Sequence, residues 1–444
     1  MRISRIYKKR FGGAGIVLVI SSLLVFIGAL HCSIINRQLR EAAKKGDIKL
    51  TKVAISKGAD VSAESNIGWT ALMYSSAYGR LEVIKFLTEC RRNMSIIDQK
   101  AGQALVIAAG HGELNTVKYF LDLGVPIDSK GWLGSNAISE ATAGGKMDMV
   151  SYLIDRGALI NEGAKTILHT AVVNGQADVV GLLLDKGIDI NAKDENGWTA
   201  LMLACALNAP KVPALLLKRK PDVNVKDSFG RTAIMFASKR GHLDVTQTLI
   251  KMGADWEGAD MYGNTAFLWA AAAGHEDQLG LFIDKGVNVN SADMGGWTAL
   301  MLAARWNRVN AIRVLLENGG DVNAANQDDW TALKIAARWG CTEAFNTLLE
   351  NGANLSIAIA AMIGDEHEVR RLISSGANLD SFGKGGFSPI KLATEMGHVE
   401  TVRLLLENGA DPCSQGSPGW TPLQYAMIKR YKTICKLLKS AQAD

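Results

Sequence analysis

Residues 296–301 read Gly-Trp-Thr-Ala-Leu-Met, and the same six residues recur at 68–73 and at 197–202. The position of the Thr in this motif recurs thirteen times along the chain, and ten of the twelve steps between neighbouring copies are 33 residues long. A fixed period of this length indicates a stack of short supersecondary units, because one unit has too little apolar surface to fold alone. The copies of this position lie at Arg37, Thr70, Gln103, Asn136, Thr166, Thr199, Thr232, Thr265, Thr298, Thr331, Leu355, Ser388 and Thr421.

Each period predicts two short helices and a turn-rich connection. After Thr199, apolar residues recur every three to four positions over 200–204, and the Thr side chain is placed to cap the helix that they form. A Gly-His turn follows in several copies, as at 241–242, and then a second helix with paired leucines. The end of the period is rich in Asn, Asp and Gly, as at 191–197, which predicts a projecting hairpin.

This pattern resembles the ankyrin repeat over residues 36–440, about nine tenths of the chain. The Thr-Pro-Leu-His signature of that family is altered here, since its Pro is kept only at Pro389 and Pro422 and its His only at His169. The resemblance implies an all-α solenoid of helix-turn-helix units with β-hairpin fingers. It also implies that the protein binds other proteins through its finger tips and its concave inner-helix face.

The repeat positions divide the chain. We predict a basic and apolar segment at 1–35, a capping repeat at 36–65, about twelve ankyrin repeats at 66–440 and a tail at 441–444. The step from Asn136 to Thr166 is 30 residues, which predicts a shortened finger near 158–165. The step from Thr331 to Leu355 is only 24 residues, so the repeat at 353–380 should lack its finger. That gap is either a notch in the binding edge or a decayed repeat without a role.

The charge of the chain argues against a nucleic-acid partner. The formal net charge of the 444 residues is +5, and the first ten residues alone contain five cations and no acid. The rest of the chain is therefore neutral overall, whereas a nucleic-acid-binding protein needs a basic stripe to displace phosphate counterions. We expect a monomer that binds a protein and no nucleic acid.

The N-terminal segment is predicted to form a hydrophobic helix that enters a membrane. Residues 11–30 carry no charge, and twenty helical residues span about 30 Å, enough for a bilayer core. An uncleaved anchor, a signal peptide cleaved after Ala29 and a lipidated Cys32 are the three alternatives. The cations before this segment slightly outnumber those that follow it, which favours a repeat domain outside the cytoplasm, in the periplasm or cell envelope.

No pattern of catalytic, cofactor-binding or metal-binding residues stands out, so we expect no enzymatic activity and no cofactor. The six cysteines occupy unrelated phases of the repeat and never form a Cys-x-x-Cys pair. His242, His275 and His398 share one phase, but equivalent residues of stacked repeats lie too far apart to form one metal ligand shell. We interpret these histidines as turn-stabilising residues.

Tryptophans are the main candidates for contact with a partner. Five of them directly precede the helix-start Thr, on the finger side of the groove: Trp69, Trp198, Trp297, Trp330 and Trp420. In two consecutive repeats the inner helix also ends with an Arg-Trp pair, Arg305-Trp306 and Arg338-Trp339. Trp and Arg are the residue types enriched at binding hot spots, so we expect these two repeats to form the main binding surface. The alternative is that Arg stacks on Trp within the protein and only stiffens the repeats.

Together these features favour a membrane-targeted ankyrin scaffold that binds a protein partner in its groove. Two other interpretations stay open. One is a structural or stress-protective component of the cell envelope without a single defined ligand, and the other is a secreted effector that binds proteins of another cell. Fold alone does not decide among them, because one scaffold accommodates many functions.

Overall fold

The computed structural model describes residues 30–90, 99–160, 166–207, 211–380, 388–414 and 419–442. The chain forms two compact units, Met1–Glu195 and Asn196–Asp444. In both units the described residues are helical, with turns between the helices and no strand, which confirms the all-α prediction.

Unit 1 contains ten α-helices and one 3-10 helix among its described residues. Helix α1 occupies 30–45, and α2 is Ile48–Ser56. The others are α3 Ala71–Ala77, α4 Leu81–Cys90, α5 Gln99–His111, α6 Leu114–Asp122, η1 Trp132–Gly134, α7 Ala137–Ala143, α8 Met147–Asp155, α9 Ile167–Val173 and α10 Ala177–Asp185.

Unit 2 contains sixteen α-helices among its described residues, in eight pairs of an inner and an outer helix. The first four pairs are α11 Ala200–Ala206 and α12 Lys211–Lys218, α13 Ala233–Arg240 and α14 Leu243–Lys251, α15 Ala266–Ala273 and α16 Glu276–Asp284, and α17 Ala299–Arg305 and α18 Val309–Glu317. The last four are α19 Ala332–Arg338 and α20 Thr342–Glu350, α21 Ile357–Ile363 and α22 Glu366–Ser374, α23 Pro389–Met396 and α24 Val399–Glu407, and α25 Pro422–Ile428 and α26 Lys432–Ala441.

The inner helices begin where the sequence places their capping residues. Thr298 has extended backbone geometry, and its Oγ1 accepts a hydrogen bond of 3.3 Å from the Met301 N–H. Thr70, Thr199 and Thr331 cap their helices in the same way. This bond satisfies one of the N–H groups that a helix start leaves without a partner.

Small side chains allow the inner helices to pack closely. In α15, Ala266, Ala270 and Ala271 are fully buried, and each inner helix contacts the next one within its unit. The outer helices close the core with larger side chains, such as Phe282 on α16 and Leu315 on α18. The core is therefore a continuous layer shared by neighbouring repeats, since no pair of helices buries its apolar face alone.

The fingers differ from the β-hairpins that the sequence predicts. Among the described residues they are turns, and in some repeats an isolated antiparallel bridge closes the turn, as between Ala292 and Thr298 and between Ala325 and Thr331. A buried or half-buried Asp or Asn near the tip accepts two backbone N–H groups and replaces the strand ladder. Asp260, for example, accepts from Tyr262 and Asn264 at 2.9 Å each.

Asparagine side chains join successive repeats at the base of the fingers. The Asn290 Oδ1 accepts from the Asp321 N–H at 2.7 Å, and its Nδ2 donates to the Gly319 carbonyl at 3.0 Å. Asn323 makes the same pair of bonds to Asn354 and Gly352 in the following repeat. One side chain thus fixes the backbone of its neighbour at two points.

Three repeat positions depart from the predicted helix starts. Gln103 lies inside α5, which begins four residues earlier at Gln99. Arg37 likewise lies inside α1. The cap of α21 is Ser356, whose Oγ accepts from the Ile359 N–H, rather than Leu355, because only Ser carries a capping oxygen. Only residues 351–356 separate α20 from α21, so this repeat has no room for a finger.

The apolar segment at 11–30 lies outside the described residues except for its last position, and so does most of the shortened finger near 158–165. None of the helices in the described part of the chain is long and apolar enough to cross a membrane. Helix α1 already includes residue 30 and buries Ile35, Leu39 and Ala43. A boundary between 35 and 36 therefore cuts through a packed helix.

Candidate protein-binding surface

Six of the predicted contact residues lie at the two ends of α17 and α19. Trp297 and Trp330 directly precede the N-terminal caps of these helices. Each Arg-Trp pair supplies the last helical residue and the C-terminal cap. The name aromatic–arginine surface is used for Trp297, Arg305, Trp306, Trp330, Arg338 and Trp339.

The finger holds the backbone of two of these tryptophans. The Trp297 N–H donates to Asp293 Oδ1 at 2.8 Å, and the Trp330 N–H donates to Asn326 Oδ1 at 2.9 Å. Both indoles are half-buried. The finger turn therefore sets the position of each ring before any partner binds.

Arg305 gathers three indole rings around its guanidinium group. Its Cζ lies 5.6 Å from the ring centroid of Trp297, 5.7 Å from that of Trp306 and 5.2 Å from that of Trp339. Trp339 in turn meets Trp330 edge-on, with 6.2 Å between centroids and 63° between ring planes. The four tryptophans and Arg305 thus form one connected cluster, held by cation–π and aromatic contacts.

Much of this cluster faces solvent. Trp306 is 55% exposed and Trp339 is 49% exposed, which is unusual for side chains of this size. The self-contained stacking that the sequence left as an alternative does occur at Arg305, and it leaves these two indole faces uncovered. The arrangement provides a preformed apolar surface with a cation at its centre.

Arg338 does not join the cluster. It forms an ion pair with Glu395 on α23, and its Nη1 donates to the Met396 Sδ at 3.2 Å. The Tyr425 hydroxyl also donates to Glu395, at 3.0 Å. Burial and this bond to a carboxylate raise the pKa of Tyr425. Arg338 is thus an intramolecular partner, whereas the sequence grouped it with the solvent-facing residues.

Sequence reasoning missed Glu395 and Tyr425, although a signal was present. Glu395 follows Ser388 by seven residues, just as Arg338 follows Thr331. Residues of opposite charge at the same repeat position lie on the same row of inner helices. Comparing charges down each repeat position would have marked Glu395 as a candidate partner of an inner-helix arginine, without choosing between Arg305 and Arg338.

The other three tryptophans have aromatic neighbours of their own. In unit 1, Trp69 packs on Tyr74 with 5.1 Å between centroids. In unit 2, Trp420 lies 6.5 Å from Tyr425. Trp198 lies 4.6 Å from Phe236, under the guanidinium of Arg231. That Arg231 is ion-paired with the buried Asp227 at 2.7 Å, so its charge is already matched.

The phase-sharing histidines bond to the preceding repeat. The Nε2 atoms of His242, His275 and His398 bond to the carbonyl oxygens of Leu207, Lys239 and Met362 at 3.2, 3.1 and 3.0 Å. They therefore connect each repeat to the preceding one, and none of the three caps its own helix with its side chain. No group of three or more His, Cys, Asp or Glu side chains suited to a metal ion occurs among the described residues.

The repeat geometry agrees with a comparison of the sequence with protein families. The family model "Ankyrin repeats (3 copies)" matches residues 39–130, 105–194, 139–227, 201–293, 267–358 and 357–444. The chain belongs to the ankyrin repeat family. Ankyrin repeats are protein-interaction modules, which is the functional class that the repeats of this chain support.

Two curated proteins match short parts of the ankyrin region. "Probable E3 ubiquitin-protein ligase XBOS33" of Oryza sativa subsp. japonica is 35% identical over 69 residues, covering 16% of this chain and 13% of that protein. "Ankyrin repeat, SAM and basic leucine zipper domain-containing protein 1" of Mus musculus is 32% identical over 65 residues, covering 15% of this chain and 14% of that protein. The chain thus matches about one seventh of the length of each relative.

Proposed function

We propose that this ankyrin protein is a non-enzymatic scaffold that binds a protein partner through the aromatic–arginine surface. The observation that carries the proposal is the pair of exposed indoles, Trp306 and Trp339, held in place around Arg305. Large aromatic side chains that are ordered before binding lose little conformational entropy when a partner covers them. Removing such an anchor typically costs about 2 kcal/mol or more of binding free energy.

The test is a truncation of the surface in the full-length chain. We expect the variant with Trp306, Trp330 and Trp339 replaced by Ala to lose, by about tenfold or more, the partner that the parent captures from cell extract. Tyr262→Ala is the matched control, because Tyr262 is also a large exposed aromatic residue, at 56%, and does not belong to this surface. Equal capture by the parent and by a cooperatively folded triple variant would refute the site and favour a structural role.

The scaffold is further proposed to be membrane-targeted through its N-terminal segment. Support comes from the uncharged residues 11–30 behind five cations, and the slight excess of cations before this segment favours a repeat domain outside the cytoplasm. The proposal predicts that the full-length chain floats with liposomes in a density gradient. A chain that starts at residue 30, and so keeps α1 whole, should stay in the dense fraction.

The fate of this segment separates the remaining alternatives. An intact N-terminus on the membrane-bound protein supports an anchor, and a new N-terminus after Ala29 supports a cleaved signal. A mass increase on Cys32, which is exposed on α1, supports lipidation. Intact-mass spectrometry of the protein from its native membrane distinguishes the three, and an unmodified full-length chain that never floats would overturn membrane targeting altogether.

A further inference from the structure

Unit 1 contains an open cavity of about 410 Å³ on its row of inner helices. Its walls come from α5, α7 and η1. The side chains of Trp69 and Trp132 are part of its lining. A volume of this order is in the range of ligand-binding pockets. Trp132 is 49% exposed, so the cavity opens toward solvent.

Glycines create this cavity at positions where unit 2 carries large side chains. Gly110 lies seven residues after the repeat position Gln103, just as Arg305 lies seven residues after Thr298. Gly144 lies eight residues after Asn136, just as Trp306 lies eight residues after Thr298. The glycines also bring α5 and α7 together. A Cβ atom on Gly144 would lie 2.6 Å from the Gly110 carbonyl oxygen, which real Cβ atoms do not allow.

Glycine also admits the wall formed by Trp132. A Cβ atom on Gly68 would lie 2.2 Å from the Trp132 Cη2, so the indole rests directly on the glycine backbone. Gly68 has a φ of 74°, which side-chain-bearing residues rarely adopt. The Trp132 ring is therefore held beside Trp69, which follows Gly68 in the chain. Both indoles line the cavity.

Two hydrogen-bond acceptors in the lining have no protein partner. Gln103 is only 8% exposed, and its Oε1 accepts no hydrogen bond. The half-buried Glu140 carboxylate forms neither an ion pair nor a side-chain hydrogen bond with any residue that the structure describes. Since Gln103 Oε1 is closed to solvent, the Glu140 carboxylate is the acceptor in the lining that a hydrogen-bond-donating ligand can reach.

Neighbouring cations in the described part of the chain do not pair with Glu140. Lys100 is ion-paired with Glu64, and the Lys146 side chain lies against Gly112 and against the lining residue Gly144. The His111 Nδ1 bonds to the Ile107 carbonyl at 2.9 Å. Glu140 therefore gives the cavity a negative charge that its lining does not neutralise.

We propose that this cavity binds an arginine side chain of a partner polypeptide. A guanidinium group carries five N–H donors in one plane, which suits the two oxygens of the Glu140 carboxylate. Its flat face also stacks on indole rings more readily than an ammonium group does. The site is separate from the aromatic–arginine surface, where the protein itself supplies the cation, and its occupancy does not depend on that surface binding anything.

The test uses the full-length chain, labelled with 5-fluorotryptophan in detergent micelles and observed by 19F NMR. Two blocked pentapeptides are titrated, one with a central arginine and one with citrulline, its neutral isostere. The Trp69 and Trp132 signals, assigned with Trp69→Phe and Trp132→Phe, should shift saturably with the arginine peptide. The citrulline peptide should bind about tenfold more weakly, since it lacks the charge-assisted hydrogen bond.

Variants of two glutamates separate a site from general electrostatic attraction. Glu140→Gln should bring the affinity for the arginine peptide down to that for the citrulline peptide. Glu113→Gln removes the same charge from the start of α6, outside the cavity lining, and should change nothing. Equal binding of the two peptides, equal effects of the two variants, or shifts confined to other tryptophans would each overturn the proposal. A lysine peptide that binds as tightly as arginine would overturn the preference for a guanidinium group.

Discussion

At the scale of single residues, a polar side chain in the finger fixes the backbone of the groove tryptophan in two consecutive repeats. Asn326 is 7% exposed and accepts from the backbone N–H groups of Asp328 and Trp330 at 3.0 and 2.9 Å. Asp293 makes the equivalent pair of bonds one repeat earlier. Aspartate and asparagine are thus interchangeable at this position, because the bond requires only a short side chain with an acceptor oxygen.

We therefore predict that Asn326→Ala lowers the free energy of unfolding by about 1–3 kcal/mol, since two backbone donors lose their partner. Asn326→Asp keeps the acceptor and should cost much less. Denaturant unfolding of both variants measures the difference. Equal losses in the two variants would show that the side-chain oxygen is not what stabilises the finger.

Cys205 on α11 gives a second prediction for one residue. It is fully buried, and burial raises the pKa of its thiol from 9.0 to about 12. At pH 8 the native thiol should therefore resist iodoacetamide, whereas the exposed Cys413 reacts, because the thiolate is the nucleophile. Mass spectrometry of the digested protein measures how far each cysteine is alkylated. Rapid labelling of Cys205 in the folded protein would contradict the prediction.

The same shift has a defined sign for stability. The folded pKa lies above the unfolded one, so the buried thiol contributes its full stability below pH 9.0. Between pH 9.0 and about 12 the unfolded thiol ionises while the folded one stays protonated. The contribution of Cys205 is lost as the pH rises through that window, and Cys205→Ala should remove this part of the pH dependence.

At the scale of secondary-structure elements, the ion pair of Arg338 with Glu395 connects α19 to α23, two inner helices further along the chain. The Glu395 side chain is 10% exposed and that of Arg338 is 34% exposed, so water screens the pair only partly. The repeat between them is the one without a finger. The contact thus joins inner helices that flank the shortest connection between repeats in the described part of unit 2.

A double-mutant cycle with Arg338→Gln and Glu395→Gln should give a coupling free energy of about 1 kcal/mol, near the upper end for exposed pairs. Tyr425→Phe is the control, because it removes only the hydroxyl that also donates to Glu395. Denaturant unfolding of the four proteins in the cycle provides the measurement. Additive single losses would mean that the two side chains do not stabilise each other.

At the scale of the whole molecule, stability is distributed over the joints between repeats. Histidines at three such joints in unit 2 bond to the preceding repeat at 3.0–3.2 Å. Because the joints are separate and each involves only neighbours, their contributions should add.

We predict that replacing His242, His275 and His398 by Ala costs about 1 kcal/mol each and that the triple variant loses the sum. His367→Ala is the matched control, since His367 is exposed on the outer helix α22. Chemical unfolding of the single and triple variants tests this. If the triple variant loses no more free energy of unfolding than the most destabilised single variant, unfolding begins in one block of repeats and not in the others.

The sequence by itself determined the features that repeat. The 33-residue period, the capping residues and the alternation of small and large apolar residues specify the helix pairs, because these features act within one repeat or between neighbours. The same period placed four tryptophans and Arg305 at positions that meet. The fingers were predicted less well, since a buried Asp or Asn replaced the strand ladder that the family pattern implied.

Only the tertiary structure decided how individual side chains are used. Arg305 and Arg338 occupy the same repeat position, yet one stacks on three indoles and the other pairs with Glu395 two inner helices away. The cavity beside Trp132 likewise depends on glycines in two repeats and on a ring that lies across Gly68. The physical reason is that a period fixes backbone positions, whereas pairing and empty space depend on every side chain that reaches the same volume.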